Sequence, residues 1–335
     1  MRLARYEHEG STRIGVVDGD AIRPLPETTE LLTLLADRAA RQPAAAAAGE
    51  PVALSDVQLR APLTPTTMRD FVCFEAHVEG MVKNEGPDAV VPEDWYQAPT
   101  FYFTSTTAIF GPGDAIEVPP GCEKLDLELE IGVIIGREGR DIPVQSAAEH
   151  IAGFTIYNDF SARDLGAREK RMGLGWAKAK DFANALGPWV VTADEWEPYR
   201  DGDRYDMELV ASRNGEPLGR DTLANIAWSF EEMVAYASRG AWLRTGDVLG
   251  SGTCGAGCLG ELWGRNGAFE PRPLAPGDEV TLSVEGIGEL TNTIVAGAEP
   301  LPVPTARRRA GARASRTTHA ADLLASLDGE RRRSA

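Results

Sequence analysis

Residues 125–136, LDLELEIGVIIG, constrain the fold of this chain more than any other stretch. Leu127, Leu129 and Ile131 alternate with Glu128 and Glu130, so on a strand both glutamates project from one face. The apolar run at Val133, Ile134 and Ile135 then carries that strand into a core. Two neighbouring carboxylates on one face repel unless a cation lies between them. A hard divalent ion takes oxygen ligands, and E-x-E on a strand offers two. Taken alone, the pair is a weak motif and better fits a solvated strand face. A third acid changes the balance. Residues 150–164, HIAGFTIYNDFSARD, read as a strand over 151–157 that ends in Asn158 and Asp159, with a helix beginning at Ser161. Asp159 thus stands at a strand end, as a site residue or as a turn and capping residue. Arg163, Lys178 and Lys180 follow it, cations suited to an anionic, metal-chelating substrate.

The rest of the chain frames this segment. With 335 residues, 43% of them apolar, it has room for a large domain beside a small one. Residues 1–61 read as a small N-terminal domain: strands over 2–6 and 13–17, a helix over 27–41 and an Ala-rich linker at 43–49. The Pro-punctuated APLTPTT at 61–67 opens a strand-rich body spanning 62–303, with turn signals at 111–114, 214–215 and 277–278. A helix is expected over 222–238, capped by Asp221. No Gly-rich dinucleotide fingerprint or Walker loop interrupts this pattern. The fold class is therefore α+β, mostly β. Residues 304–335 read as a mobile Arg/Ala-rich tail; from Thr305 onward it carries +5, against −22 for the rest. A net charge of −17 argues against nucleic acid and anionic membranes as partners. Cys73, Cys122, Cys254 and Cys258 form no disulfide framework, and the C-x3-C pair lacks the second cluster a structural zinc needs. Without a signal-like apolar N-terminus or a run of ~18 apolar residues, a cytoplasmic protein is expected.

Of the histidines, His8 and His319 lie in terminal segments and His150 reads as a surface residue. His77, in MRDFVCFEAHVEG at 68–80, is a candidate general base, provided that a partner orients it; a lone histidine is otherwise structural. Glu261 is the acid of the small-residue segment LGSGTCGAGCLGELW at 249–263, whose glycines allow close backbone approach to a ligand.

LDLELEIGVIIG, YNDFSARD, AKDFANALGPWVV, GSGT and GELW, in this order, resemble the fumarylacetoacetate hydrolase family over residues 62–302. RDFVCFEAH and DWYQAPTFY bring the resemblance closest to the larger fumarylacetoacetase type. The resemblance implies a mixed β-roll with a small N-terminal domain, a homodimer, and a metal-dependent hydrolase. It implies Asp70, Glu128, Glu130 and Asp159 as ligands of Mg²⁺ or Ca²⁺, with Mn²⁺ as a further option. It implies His77 as the base, oriented by Glu261, with Arg163 and Lys180 stabilising charge, and Tyr102, Thr253, Arg163 and Lys180 touching substrate. The expected reaction is cleavage of a C–C bond in a β-diketone or acylpyruvate-like acid, by water that His77 activates and an enolate leaving group. A decarboxylase, hydratase or tautomerase of a 2-keto or β-keto acid is the enzymatic alternative; a non-catalytic ligand-binding relative is the other. Val72, Gly166 and Lys170 depart from the fumarylacetoacetase pattern at positions that read substrate, and Lys83 is the nearest cation where an Arg is expected after His77.

Overall fold

The computed structural model describes residues 1–306, of which Met1–Glu299 form one compact unit. The expected mobile tail, with His319, lies outside the described residues apart from its first few positions. Neighbours in the main sheet run Val52–Ala53, Ala21–Pro24, Ser11–Asp18, Arg2–His8, Asn184–Thr192, Ile151–Asp159, Leu129–Ile135, Val248–Gly250, Met68–Phe71 and Phe101–Thr104. A second sheet orders Glu216–Thr222, Glu208–Arg213, Glu279–Val284, Gly288–Val295 and Ala115–Glu117. The architecture is α+β and mostly β, as the sequence predicts.

The N-terminal strands form as expected, in a tight hairpin. Arg2–His8 pairs antiparallel with Ser11–Asp18, and Glu9 and Gly10 turn the corner with positive φ of 50° and 76°. Arg2 and Leu3 also pair with Val191 and Val190, so these strands extend the main sheet.

Leu129–Ile135 and Ile151–Asp159 are buried along their whole length. Their alternation therefore separates two buried faces rather than core from solvent, and every acid on them needs a partner. The expected single strand over 125–136 is interrupted: Leu125–Asp126 pairs with Ser161–Ala162, and the ladder resumes at Leu129. Glu128 sits in the break, where its N–H donates to Asn158 Oδ1 at 2.9 Å.

Five local expectations need correction. The helix over 27–41 is two helices, Leu31–Ala36 and Arg38–Ala46, because Asp37 caps the second through Ala39 N–H at 2.8 Å. Alanines expected in a linker continue that second helix, as their high helix propensity favours. The segment after Asp221 is not one long helix: Glu216–Thr222 is a strand, turned at Asn214 and Gly215 with φ of 55° and 79°, and the helix is Phe230–Ala237. Its cap is Ser229, in a reciprocal pair with Glu232, while Asp221 accepts from Gly255 N–H and Asn225 Nδ2. The helix after Asp159 begins at Arg163, because Ser161 and Ala162 are held in the short strand pairing. His150 is buried, with Nδ1 2.8 Å from the Arg137 carbonyl, and is a structural residue. Among the described residues no helix is long and apolar enough to cross a membrane.

Candidate metal centre and active-site cavity

Adjacent strands bring the acids together. Glu130 lies opposite Tyr157 on Leu129–Ile135 and Ile151–Asp159, while Gly250 pairs with Gly132 on one side and Asp70 on the other. Asp70, Glu128, Glu130 and Asp159 are all buried and offer oxygens within 4.8 Å of one another. Asp70 Oδ1 and Asp159 Oδ1 have no hydrogen-bond partner. The other oxygens are engaged. The Tyr102 hydroxyl lies 2.6 Å from Asp70 Oδ2 and also against Asp159 Oδ2. Gly252 N–H donates to Glu130 Oε2 at 3.0 Å, and Lys180 Nζ bridges Glu128 and Asp159.

Gly250 is the spacer that makes this approach feasible. A Cβ there would lie 2.5 Å from Asp70 Oδ1 and 2.8 Å from Glu130 Oε2, inside van der Waals contact. Gly250→Ala should weaken Mn²⁺ binding by roughly tenfold or more, on the scale of losing an outer-shell support. Calorimetric titration checks this; unchanged affinity would remove the spacer role.

Arg163 was expected to meet substrate, and here its charge is already matched. Its Nε donates to Asp126 Oδ2 at 2.8 Å and its Nη2 to Glu128 Oε1 at 2.6 Å. Asp126, which sequence reasoning missed, also accepts from Leu259 N–H at 2.7 Å and Gly260 N–H at 2.8 Å. It therefore ties Arg163 to the first turn of the Leu259–Asn266 helix.

Five buried acids face two cations here, so the carboxylates cannot all ionise cheaply. Burial and the Asp159 charge push the Asp70 carboxyl up to about 8. Burial and Asp70 hold Glu130 well above the carboxylate range. Burial also raises Asp159, with Lys180 opposing. Glu128 is desolvated too, but Arg163 and Lys180 outweigh this and hold it below its usual range. Two unpartnered carboxylate oxygens inside an all-oxygen, acid-rich cluster fit a hard divalent cation, which Asp70, Glu128, Glu130 and Asp159 would hold.

A pH dependence follows. The raised Asp70 pKa contributes stability that is full below its unfolded value near 3.8 and lost as pH rises through about 8. The metal-free protein should therefore lose thermal stability from about pH 4 to about pH 8. Metal displaces the retained protons, so affinity should rise over the same interval with proton release. Calorimetry in buffers of differing protonation enthalpy measures that release; none would mean the acids are already ionised.

The cluster opens into a cavity of about 360 Å³, also lined by Val72, His77, Val78, Met81, Tyr102, Arg163, Lys170, Trp176, Lys180 and Thr253. His77 projects from the Glu75–Val82 helix, its Nδ1 3.5 Å from Glu261 Oε2 and 3.7 Å from Cys258 Sγ. The first distance exceeds the ~2.6–3.2 Å expected of an orienting hydrogen bond. Both Glu261 oxygens are otherwise engaged: Arg265 Nε donates to Oε1 at 2.9 Å and Ala256 N–H to Oε2 at 2.8 Å. Lys83 points elsewhere, donating to the Pro87 and Ala89 carbonyls at 2.9 and 2.8 Å. Trp176 and Cys258 are further neighbours that the sequence did not reveal. Tyr102, Thr253, His77, Arg163 and Lys180 all reach the cavity.

Over residues 66–295 the chain matches the family model "Fumarylacetoacetate (FAA) hydrolase C-terminal". The chain belongs to the fumarylacetoacetate hydrolase family. Residues 1–62 match a second family model, "Rv2993c-like, N-terminal", which gives the N-terminal segment a family of its own. Oxaloacetate tautomerase YisK of Bacillus subtilis is 30% identical over 244 residues, 72% of this chain and 74% of that protein. The structure of 5-carboxymethyl-2-hydroxymuconate delta-isomerase from Mycobacterium smegmatis is 28% identical, covers 89% of this chain and 100% of its own, and has a TM-score of 0.66. Maleylpyruvate hydrolase from Sphingobium sp. SYK-6, in complex with manganese(II) and pyruvate, shares the fold: TM-score 0.66, 22% identity, coverage 89% and 100%. The fumarylacetoacetate hydrolase family thus contains tautomerases, isomerases and hydrolases of small organic acids, and the tautomerase and isomerase relatives correct the placement nearest to fumarylacetoacetase.

Proposed function

We propose that this chain is a divalent-metal-dependent enzyme that interconverts the keto and enol forms of a 2-keto acid with a second oxygen in 1,3-relation. The observation that carries the reading is the four-carboxylate cluster, two of its oxygens unpartnered, in a cavity that His77 also lines. A bound Mg²⁺, Mn²⁺ or Ca²⁺ would supply Lewis acidity toward the substrate's oxygens. His77 takes the proton from the carbon between the two carbonyls and returns it to oxygen, so no proton is gained or lost overall. Lys180 and Tyr102 hold the acids in place, and the lysine's remaining N–H presents a dipole to the developing enolate. Thr253 lines the same wall, suited to orient the substrate.

The tautomerase names of relatives such as YisK support this reading over C–C hydrolysis. The engagement of both Glu261 oxygens supports it too. A partner whose oxygens already accept from Arg265 and Ala256 strengthens His77 less, and a proton flanked by two carbonyls needs only a moderate base. Hydrolysis of an acylpyruvate is the second reading, favoured by the 3.5 Å proximity of His77 and Glu261. The decisive experiment follows oxaloacetate enol loss and acetopyruvate cleavage with the Mn²⁺-loaded protein. Tautomerisation should be catalysed and fall by about 10²–10⁴-fold in His77→Gln. Acetopyruvate cleavage without enol turnover would hand the site to the hydrolytic reading.

A further inference from the structure

The four-carboxylate cluster does not use every ligating group beside the cavity. His77, Glu128 and Cys258 are all buried, and each offers one ligand atom, so that a nitrogen, an oxygen and a sulfur lie within 4.8 Å of one another. His77 Nδ1 and Cys258 Sγ are 3.7 Å apart. Two ligands at about 2.05 and 2.3 Å from a tetrahedral zinc ion stand about 3.6 Å from each other, so this pair could share one with little movement. The two residues meet across 181 positions of chain. His77 projects from the Glu75–Val82 helix, and Cys258 is the residue that caps the Leu259–Asn266 helix. Cys258 thus finds its partner in a distant histidine rather than in Cys254.

Donor chemistry separates this trio from the carboxylates. Asp70, Glu128, Glu130 and Asp159 offer oxygen alone, which suits hard ions. Imidazole and thiolate favour borderline and soft ions such as Zn²⁺ and Cd²⁺, whereas Mg²⁺, Ca²⁺ and Mn²⁺ prefer oxygen. Glu128 belongs to both sets. Arg163 and Lys180 already contact its two oxygens, so it is the weakest of the three donors, and nitrogen and sulfur set the selectivity. Cys258 Sγ accepts from Glu261 N–H at 3.3 Å, which fixes its position before any ion arrives. An ion that binds there displaces the thiol proton to solvent and forms a bond to the thiolate, which offsets part of the added charge.

We propose that His77 and Cys258, with Glu128 as third donor, form a second cation site, selective for thiophilic ions such as Zn²⁺ and Cd²⁺, whose occupation silences the base. The site stands on donor geometry; the silencing rests on the keto–enol reading, which makes His77 the base. Cd²⁺ is the spectroscopic reporter, because a Cd²⁺–thiolate bond gives an ultraviolet charge-transfer band that oxygen ligands do not. Equimolar Cd²⁺ added to the Mn²⁺-loaded protein should raise that band, and Zn²⁺ should lower oxaloacetate enol turnover at least ~10-fold, on the scale of losing much of a general base. Cys258→Ser keeps a good helix cap, so the fold should survive. It should lose the band and need at least ~10-fold more Zn²⁺ for half-inhibition, measured against its own zinc-free rate. Cys122→Ser, at a half-buried thiol outside the trio, should keep the band. Mn²⁺ release without a thiolate band would mean that the soft ion only replaced the hard one, and a band that persists in Cys258→Ser would belong to another cysteine; either result overturns the second site. A band that follows Cys258 while enol turnover is absent or unaffected leaves the site standing and takes the base role from His77.

Discussion

Asp159→Asn should abolish both metal binding and activity. The substitution keeps the side chain's shape and removes one charge from a site whose oxygens lie within 4.8 Å of one another. It also replaces an unpartnered acceptor, Asp159 Oδ1, by an amide that offers either a weak ligand or a repelling N–H. Losing an outer-shell partner costs about 10–100-fold in affinity, so losing a ligand should cost at least ~100-fold, and turnover should fall with it by about a thousandfold. Mn²⁺ titration and enol assays at saturating metal measure the two effects. Lys180 then has only Glu128 to match, so the fold should survive. If Asp159→Asn binds Mn²⁺ like the parent protein, the metal centre lies elsewhere.

Lys180→Met should destabilise the metal-free protein by about 3–5 kcal/mol, because it leaves Glu128 and Asp159 buried without their shared cation. For a chain of this size the melting temperature should drop by roughly 5–10 °C. Excess Mn²⁺ should recover much of the loss, since a second source of positive charge then faces the same acids. Activity should stay low even when stability returns, because the ammonium that faces the enolate is gone. Differential scanning with and without metal separates the two roles. A variant that melts like the parent in chelator would show that Lys180 does not balance the cluster.

Glu130 and Asp159 were legible in the sequence because strand geometry marks a face and a strand end, while Glu128, read on the same strand, sits in the break before it. The β-rich body was legible for the same reason. The long helix over 222–238 was misread because Asp221 has the chemistry of a cap. That carboxylate is drawn instead to Gly255, far along the chain, while the nearer Ser229 and Glu232 start the helix. Long-range pairing also hid Asp126, whose partners Leu259 and Gly260 have no local signature. Arg163 read as free for substrate because its neutralising acids, Asp126 and Glu128, lie 37 and 35 residues away along the chain. Trp176 was invisible because only the packed structure shows an indole filling the gap above Gly166. His77 and Glu261 were paired through the family resemblance, not through spacing.

The bridge that Lys180 makes between Glu128 and Asp159 also bears on the order of events as the chain matures. Asp70 and Asp159 come from strands far apart in sequence, so the ion's seat exists only after the sheet has closed. A newly made chain must complete that closure with its acids already facing one another. Lys180 serves as a resident stand-in for the missing charge, and retained protons on Asp70 and Glu130 do the same. Folding can thus be completed before the proposed cation binds, which makes assembly and metal loading separate steps.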